Sequence, residues 1–451
     1  MKERTRNMTT GQPAKLILIF AIPLLIGNFF QLLYNLADTL IVGRLLGVHS
    51  LAAVGSTGSV VFLIIGFTMG ATNGLTLITS QRFGANDPEG VKRSVATGAV
   101  ITFALMVILT ILSITNTGRI LQLMQTPLEI FEEAHRYLII ILSGLSFTVL
   151  FNYLSGLIRA LGDSRTPLYY LIFGTLLNIG LVILFISVFG MGVEGAAITT
   201  LMSQCAASML CLRHILKNLP ILHFQKRHLK LTWHEVKEHI FLAIPMAFQM
   251  SLIAIGNMLL QFVVNGLGAI SIAAYAAAIR INQVAVFPLF SFGLSMGTYT
   301  AQNMGAKKYH RIKLGVKQCA MLSVGFALLI GSVNVFFGYR LSGLFVGGEA
   351  PEVLELAQTF LTISGSFYII LSLLFVFRFT LQGMGKSRIP FIASLIELFM
   401  NSFAALFLGR NFGFVGVAWA PPLAWIGGAV PLSIAYLIFM RRLEKKEFIE
   451  I

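Results

Sequence analysis

The sequence predicts an all-α polytopic membrane protein. Three observations carry that prediction: an apolar composition, twelve membrane-length apolar stretches, and a repeat relating the first six stretches to the last six. Of 451 residues, 56% are hydrophobic and only 11% charged. A soluble protein of this size carries about a quarter charged residues, so polar surface is too scarce here for a soluble fold. The apolar stretches run approximately over residues 16–43, 52–80, 94–115, 134–157, 167–189, 194–214, 239–265, 271–301, 314–338, 355–381, 389–409 and 414–440. Lengths of about 20 residues or more suit a hydrocarbon core of about 30 Å, and the longer stretches imply tilt or projection.

The repeat has an offset of 221–223 residues. Ile22-Pro23 returns as Ile244-Pro245, and Leu51-Ala-Ala53 as Ile272-Ala-Ala274. Gln81-Arg-Phe-Gly84-Ala85 returns as Gln302-Asn-Met-Gly305-Ala306, and Gly162-Asp-Ser-Arg165-Thr-Pro167 as Gly385-Lys-Ser-Arg388-Ile-Pro390. Asn178 returns as Asn401, and Gly192-Val-Glu-Gly195 as Gly413-Phe-Val-Gly416. Six matches in order at a nearly constant offset mark a duplicated six-helix unit. Six crossings is an even number, so both halves share one orientation. They are then related by an axis along the membrane normal, with a binding site expected at their interface. The expected division is an N-terminal bundle over 1–215, a cytoplasmic linker over 216–238 and a C-terminal bundle over 239–451. Within the linker, Trp233-His-Glu-Val-Lys237 reads either as a short interfacial helix or as solvated chain.

The formal charge of +15 does not point to a nucleic acid, because the basic residues are scattered through short loops. With the N-terminus inside, 26 Lys and Arg fall on the inner side, from Lys2, Arg4 and Arg6 through Lys307, Lys308 and Arg311 to Lys445 and Lys446. The outer side keeps five: Arg44, Arg119, Arg136, Arg340 and Arg410. That excess places both termini in the cytoplasm of a multi-pass plasma-membrane protein. Acidic residues gather on the outer side at Glu129, Glu132 and Glu133 and again at Glu349, Glu352 and Glu355. Cys205, Cys211 and Cys319 make neither a CxxC nor a metal set. The eight histidines have no metal-ligand spacing, and no GxxxxGK[ST] occurs, so no metal, cofactor or ATPase chemistry is expected.

Charges inside the spans are the candidates for function. The chain has three aspartates, Asp38, Asp87 and Asp163, and only Asp38 lies within an apolar stretch. At about 100° per residue, Asn28, Gln31, Tyr34, Asn35 and Asp38 share roughly a third of the helix circumference. A charge at mid-bilayer costs about 2.5–3.5 kcal/mol on insertion scales. Asp38 therefore needs a partner, a proton or a water-filled cavity. Glu397 is the second embedded acid, four residues before Asn401. It reads as a contact for cationic substrate or as the ion-pair partner of Arg378 or Arg280. Arg280 opens the polar set Arg280-Ile-Asn282-Gln283, and Gln249 is a polar group of the seventh span.

These motifs resemble the multidrug and toxic compound extrusion (MATE) family, most closely its prokaryotic DinF-type branch. The residues that carry the resemblance are Tyr34-Asn-Leu-Ala-Asp38-Thr-Leu-Ile-Val-Gly43-Arg-Leu-Leu-Gly47, Gln81-Arg-Phe-Gly-Ala85, Arg159-Ala-Leu-Gly-Asp163-Ser-Arg-Thr-Pro167, Gly192-Val-Glu-Gly-Ala-Ala197 and Gln302-Asn-Met-Gly-Ala306. The resemblance implies two six-helix bundles in a V around a central cavity. It also implies export of organic, often cationic, compounds against a proton or sodium gradient. The coupling acid falls at Asp38, with Gln31, Tyr34, Ser155, Asn178 and Thr200 among the polar groups around it. Asn35, Asn152, Ser155, Gln249, Arg280, Gln283, Glu397 and Asn401 complete the expected substrate-facing set, and Pro23 falls at a bend.

A proline inside a helix removes one ladder bond and clashes with the preceding turn, so a hinge there is physically reasonable. The sequence departs from the family at Val182 and Ile253, where many or some members carry acids. Losing the carboxylate at 182 favours protons over sodium, although Asn178 and Thr200 still offer neutral oxygens. The expected step is protonation of Asp38, loss of its hydrogen bonds to Gln31, Tyr34 and Asn178, and bending near Pro23. The expected protein is a monomeric exchanger in the bilayer that acts on small organic cations and has no enzyme activity. A lipid-linked oligosaccharide flippase of the same superfamily is the rival reading. It needs a strongly basic cavity for a pyrophosphate, and only Arg280 and Arg378 lie within the spans.

Overall fold

The computed structural model describes residues 6–346 and 350–449. Lys2, Arg4 and Glu349 of the charge pattern lie outside the described residues. Among those residues the chain forms fourteen α-helices, two short 3₁₀ turns and no strand. The helices are α1 Pro13–Leu45, α2 Val48–Gly84, α3 Pro88–Leu123, α4 Leu128–Ser143, α5 Leu145–Ala160, α6 Arg165–Ser187 and α7 Val193–Asn218. They continue as α8 Trp233–Asn265, α9 Ala269–Gly305, α10 Tyr309–Val346, α11 Pro351–Ser366, α12 Tyr368–Gly383, α13 Arg388–Ala418 and α14 Ala420–Ile449.

Ten helices are long and apolar enough to cross a membrane alone, and α4+α5 and α11+α12 each qualify as a bent pair, giving up to twelve crossings. The fourth and tenth stretches, expected as single spans, are thus broken, with bends of 41° and 49°. The breaks fall at Gly144 and Phe367, so the repeat extends to them. At the first break only glycine fits, since a Cβ at Gly144 would lie 2.1 Å from the Leu201 side chain on α7. The eleventh and twelfth stretches are separated at Gly413, whose φ of 59° is open to glycine and strained for most residues. α1 continues unbroken through Pro23. With 33 residues it is about 50 Å long, so it projects beyond a core of about 30 Å.

The two remaining aspartates are cap residues. Asp87 accepts the Gly90 N–H at 2.8 Å at the start of α3. Asp163 accepts the N–H groups of Arg165 and Thr166 and the Thr166 hydroxyl at the start of α6. Each satisfies donors that a helix start leaves open.

The chain divides into two compact units. Among the described residues, unit 1 holds Arg6, 26–83 and 87–247, and unit 2 holds 7–25, 84–86, 248–346 and 350–449. Residues 216–238, expected as the linker, lie within unit 1. Leu219 and Leu222 are buried in its core beside Leu157 and Cys211, which ties this stretch down. Trp233-His-Glu-Val-Lys237 is the first turn of the long α8, not a separate interfacial helix. α1 and α8 each contribute to both units, changing over just after Pro23 and Pro245. The entry half of α1 goes to unit 2 because Ile17, Phe20 and Ala21 are buried in a cluster with Phe292, Met296 and Tyr299.

Candidate functional site

In unit 1 the polar stripe of α1 meets α6 and α7. Gln31, Tyr34 and Asp38 lie at helical spacing, so one face of α1 presents all three. The Tyr34 hydroxyl is 3.0 Å from Thr200 Oγ1. Thr200 spends its own proton on the Ala196 carbonyl, 3.0 Å away, so Tyr34 is the donor. Asn178 Nδ2 points at the same Thr200 oxygen at 3.5 Å. The hydrogen bonds expected from Tyr34 and Asn178 to Asp38 therefore run to Thr200 instead. Thr200 sits one turn past Ala196 on α7, close enough to take both.

Asp38 Oδ1 is buried with no hydrogen-bond partner, and so is Asn178 Oδ1. The wall beside this polar group is apolar. Val42, Tyr137, Val182, Ile186, Val193, Ala196 and Ala197 form one buried cluster. Val182, where the family pattern allows a second acid, is 0% exposed within it.

A recess lies toward the α1 residues that precede Asp38. It is lined by Gln31, Tyr34, Thr175, Ser203 and Gln204, with Phe151, Leu171, Gly174 and Ala207 between them. Gln204 Oε1 is buried and unpartnered. Asp38, Asn35, Asn152 and Ser155, all expected to face substrate, are not part of this lining. Ser155 is fully buried and donates back to the Asn152 carbonyl at 3.1 Å, an intrahelical bond. Thr175, Ser203, Gln204 and Tyr137 escaped sequence reasoning. The first three had a signal: Thr175 precedes Asn178 by one turn, and Thr200, Ser203 and Gln204 share a face of α7. Tyr137 had none.

Unit 2 gathers its polar residues differently. Three stripes converge: Gln249 and Gly256 on α8, Arg378 and Gln382 on α12, and Ser394, Glu397 and Asn401 on α13. Gln249 donates to Ser394 at 3.0 Å and accepts from Gln382 at 2.6 Å. Asn401 donates to the Gly256 carbonyl at 3.2 Å. Glu397 and Arg378 form a buried ion pair and hydrogen bond. Gly428 on α14 makes room for it, since a Cβ there would lie 2.3 Å from Glu397 Oε1. Of the two readings of Glu397, the structure realises the pair with Arg378. Arg280 is exposed, with its guanidinium 5.8 Å from the centre of the Phe345 ring. Gln283 is half-buried one turn further along α9. Among the described residues no group of three His, Cys, Asp or Glu could hold a metal ion.

Up to twelve crossings, an internal duplication and a polar recess beside an embedded carboxylate define a polytopic membrane transporter. The MatE family profile matches residues 23–184 and again 245–407, once in each repeat. The chain belongs to that family, the MATE transporters its motifs resemble. It is 28% identical over 403 residues to the probable multidrug resistance protein YpnP of Bacillus subtilis (strain 168), covering 89% of this chain and 90% of that protein. It is 25% identical over 411 residues to the multidrug export protein MepA of Staphylococcus aureus (strain RF122 / ET3-1, bovine), with coverages of 90% and 89%. Its fold is that of the crystal structure of MATE in the bent conformation, with a TM-score of 0.90 at 24% identity and 99% coverage of both chains.

Proposed function

We propose that this MATE transporter exports amphipathic organic cations across the plasma membrane in exchange for protons, with Asp38 as the coupling carboxylate. The observation that carries this reading is the buried, unpartnered Oδ1 of Asp38 beside the apolar wall of Val42, Tyr137 and Val182. An uncompensated charge in that setting is costly. A proton removes the cost by neutralising the carboxyl. An organic cation brought within reach of the carboxylate removes it by pairing with it. The two remedies exclude one another, which is the condition for exchange: each ligand stabilises a different state of the same group.

Gln31, Tyr34, Asn178 and Thr200 orient the site. Tyr34 and Asn178 are held by Thr200, so neither competes for Asp38. The recess offers the side-chain oxygens of Thr175, Ser203 and Gln204 next to Phe151 and Leu171, and at this size it has room for water rather than for an organic cation. The multidrug names of the relatives support a broad substrate range. Both termini lie in the cytoplasm and the working unit is the monomer.

A sodium-coupled cycle is the second reading. It is favoured by two buried oxygens without a hydrogen-bond partner in the same unit, Asp38 Oδ1 and Asn178 Oδ1. Val182 weighs against it, because a sodium site here has one carboxylate at most. The deciding measurement is ethidium export from proteoliposomes under a proton gradient alone and under a sodium gradient alone. Export is expected with the first and not with the second. The opposite result replaces the proton reading by the sodium one.

A further inference from the structure

The motif Gln302-Asn-Met-Gly-Ala306 has no part in the site around Asp38, yet Gln302 and Asn303 are fully buried polar side chains. Their partner is the segment that leads into α1. The Met8 N–H donates to Gln302 Oε1 at 2.8 Å. Asn303 Nδ2 donates to the Met8 carbonyl at 3.2 Å and to the Tyr299 carbonyl at 2.8 Å. Arg311 spreads its fork over three acceptors: Asn303 Oδ1 at 3.2 Å, the Met8 carbonyl at 3.3 Å and the Gly11 carbonyl at 2.9 Å. Lys308 Nζ adds the Thr9 carbonyl at 3.0 Å. Gln318 accepts the Ala14 N–H at 2.8 Å, one of the donors left open at the start of α1.

The segment is thus held by its backbone, which fixes position without depending on which side chains it carries. Met8 is itself 0% exposed, and Ile17, Phe20 and Ala21 continue the anchorage into the apolar core of unit 2. The hydrogen bonds and fully buried side chains of the anchor all precede Pro23, and Leu24 adds a last, partly buried contact with the same core. From Ile26 on, α1 belongs to unit 1 and carries Gln31, Tyr34 and Asp38. A helix fixed at one end and softened by a proline can respond only by moving its far end. The same helix without the anchor can slide or rotate as a whole, and a change at Asp38 is then dissipated.

We propose that Gln302, Asn303 and Arg311 are positioning residues for transport: they hold the entry of α1 in place so that bending at Pro23 is delivered to the stretch carrying Asp38. This inference rests on the coupling role proposed for Asp38. Binding of substrate does not involve the anchor, so loosening it acts on turnover and leaves KM in place.

The test uses full-length protein in proteoliposomes with ethidium as substrate and hydrogen exchange on the same samples. Arg311→Lys keeps the charge but cannot serve three acceptors in a planar fork. Gln302→Leu removes the acceptor of the Met8 N–H at similar volume. Each is expected to lower Vmax at least tenfold with KM within threefold. Each is also expected to speed exchange over residues 8–22 at least tenfold while exchange in unit 1 stays unchanged. Lys308→Gln removes only the bond to Thr9, so it remains folded and reports the same split on a smaller scale. A variant that loosens residues 8–22 and keeps wild-type Vmax overturns the proposal, as does an equal change in KM and Vmax. Asp38→Asn, run in parallel, separates the two readings. If it exports normally, the coupling role fails, whereas normal export by the anchor variants beside a dead Asp38→Asn removes the anchor alone.

Discussion

The two embedded acids of this chain occupy opposite situations. Glu397 in unit 2 is paired with Arg378 and cradled against Gly428, and one turn away on their helices Ser394 and Gln382 are both bonded to Gln249. Asp38 in unit 1 has a buried oxygen with no partner, and Tyr34 and Asn178, from which hydrogen bonds were expected, are committed to Thr200. Both positions are expensive in a membrane. Only the first has been made cheap within the protein itself. A charge that is already compensated holds structure together; a charge left open is available to a ligand. The pair also shows that an embedded acid is not by itself a sign of transport chemistry, since its neighbours decide what it does.

That contrast can be broken most forcefully at Glu397. Glu397→Gln leaves the Arg378 guanidinium buried without a counter-charge, which is expected to cost about 3–5 kcal/mol of stability. The double variant Arg378→Met/Glu397→Leu is expected to regain most of the loss. Thermal unfolding in detergent measures both, and an unchanged midpoint for Glu397→Gln would mean that the pair is not structural.

Asp38→Asn is expected to behave in the reverse way. Gradient-driven ethidium export should fall about 100-fold, equivalent to roughly 2.7 kcal/mol, while the unfolding midpoint stays level or rises because an uncompensated charge is gone. Full export by this variant would end the coupling role of Asp38, and a lowered midpoint would reveal a structural partner for its carboxylate.

Smaller effects sharpen the comparison. Gly428→Ala places a methyl where Glu397 Oε1 now lies, and the forced shift is expected to cost about 1–3 kcal/mol with KM for ethidium unchanged. Tyr34→Phe removes the hydroxyl that binds Thr200. Its expected cost is about 1 kcal/mol of stability, read as a small drop in the unfolding midpoint, with export slowed several-fold. If Tyr34→Phe instead matched Asp38→Asn in export, the tyrosine would be a second member of the coupling group rather than a support.

Much of the fold was legible in the sequence because a membrane imposes simple rules. Backbone groups in lipid must be satisfied within a helix, so length and hydropathy alone mark crossings. The duplication was legible because six motifs kept their spacing. The bends at Gly144 and Phe367 were not, because each falls inside one continuous apolar stretch, and the Leu201 side chain that leaves room only for glycine at 144 is remote in sequence. The changeover of α1 and α8 between units was equally hidden. Pro23 and Pro245 were visible, but the sequence does not say which core Ile17 and Phe20 enter.

Asp38 is the clearest case. The sequence by itself determined that a lone aspartate lies in the first span on a stripe with Gln31 and Tyr34, because helical periodicity and the scarcity of acids leave no other arrangement. Only the tertiary structure decided that the carboxylate is left open. Thr200, 166 residues from Tyr34, takes the hydrogen bonds that Asp38 was expected to receive. Hydrogen-bond partners are chosen by distances of a few tenths of an ångström between helices remote in sequence, and no pattern within a single helix encodes them.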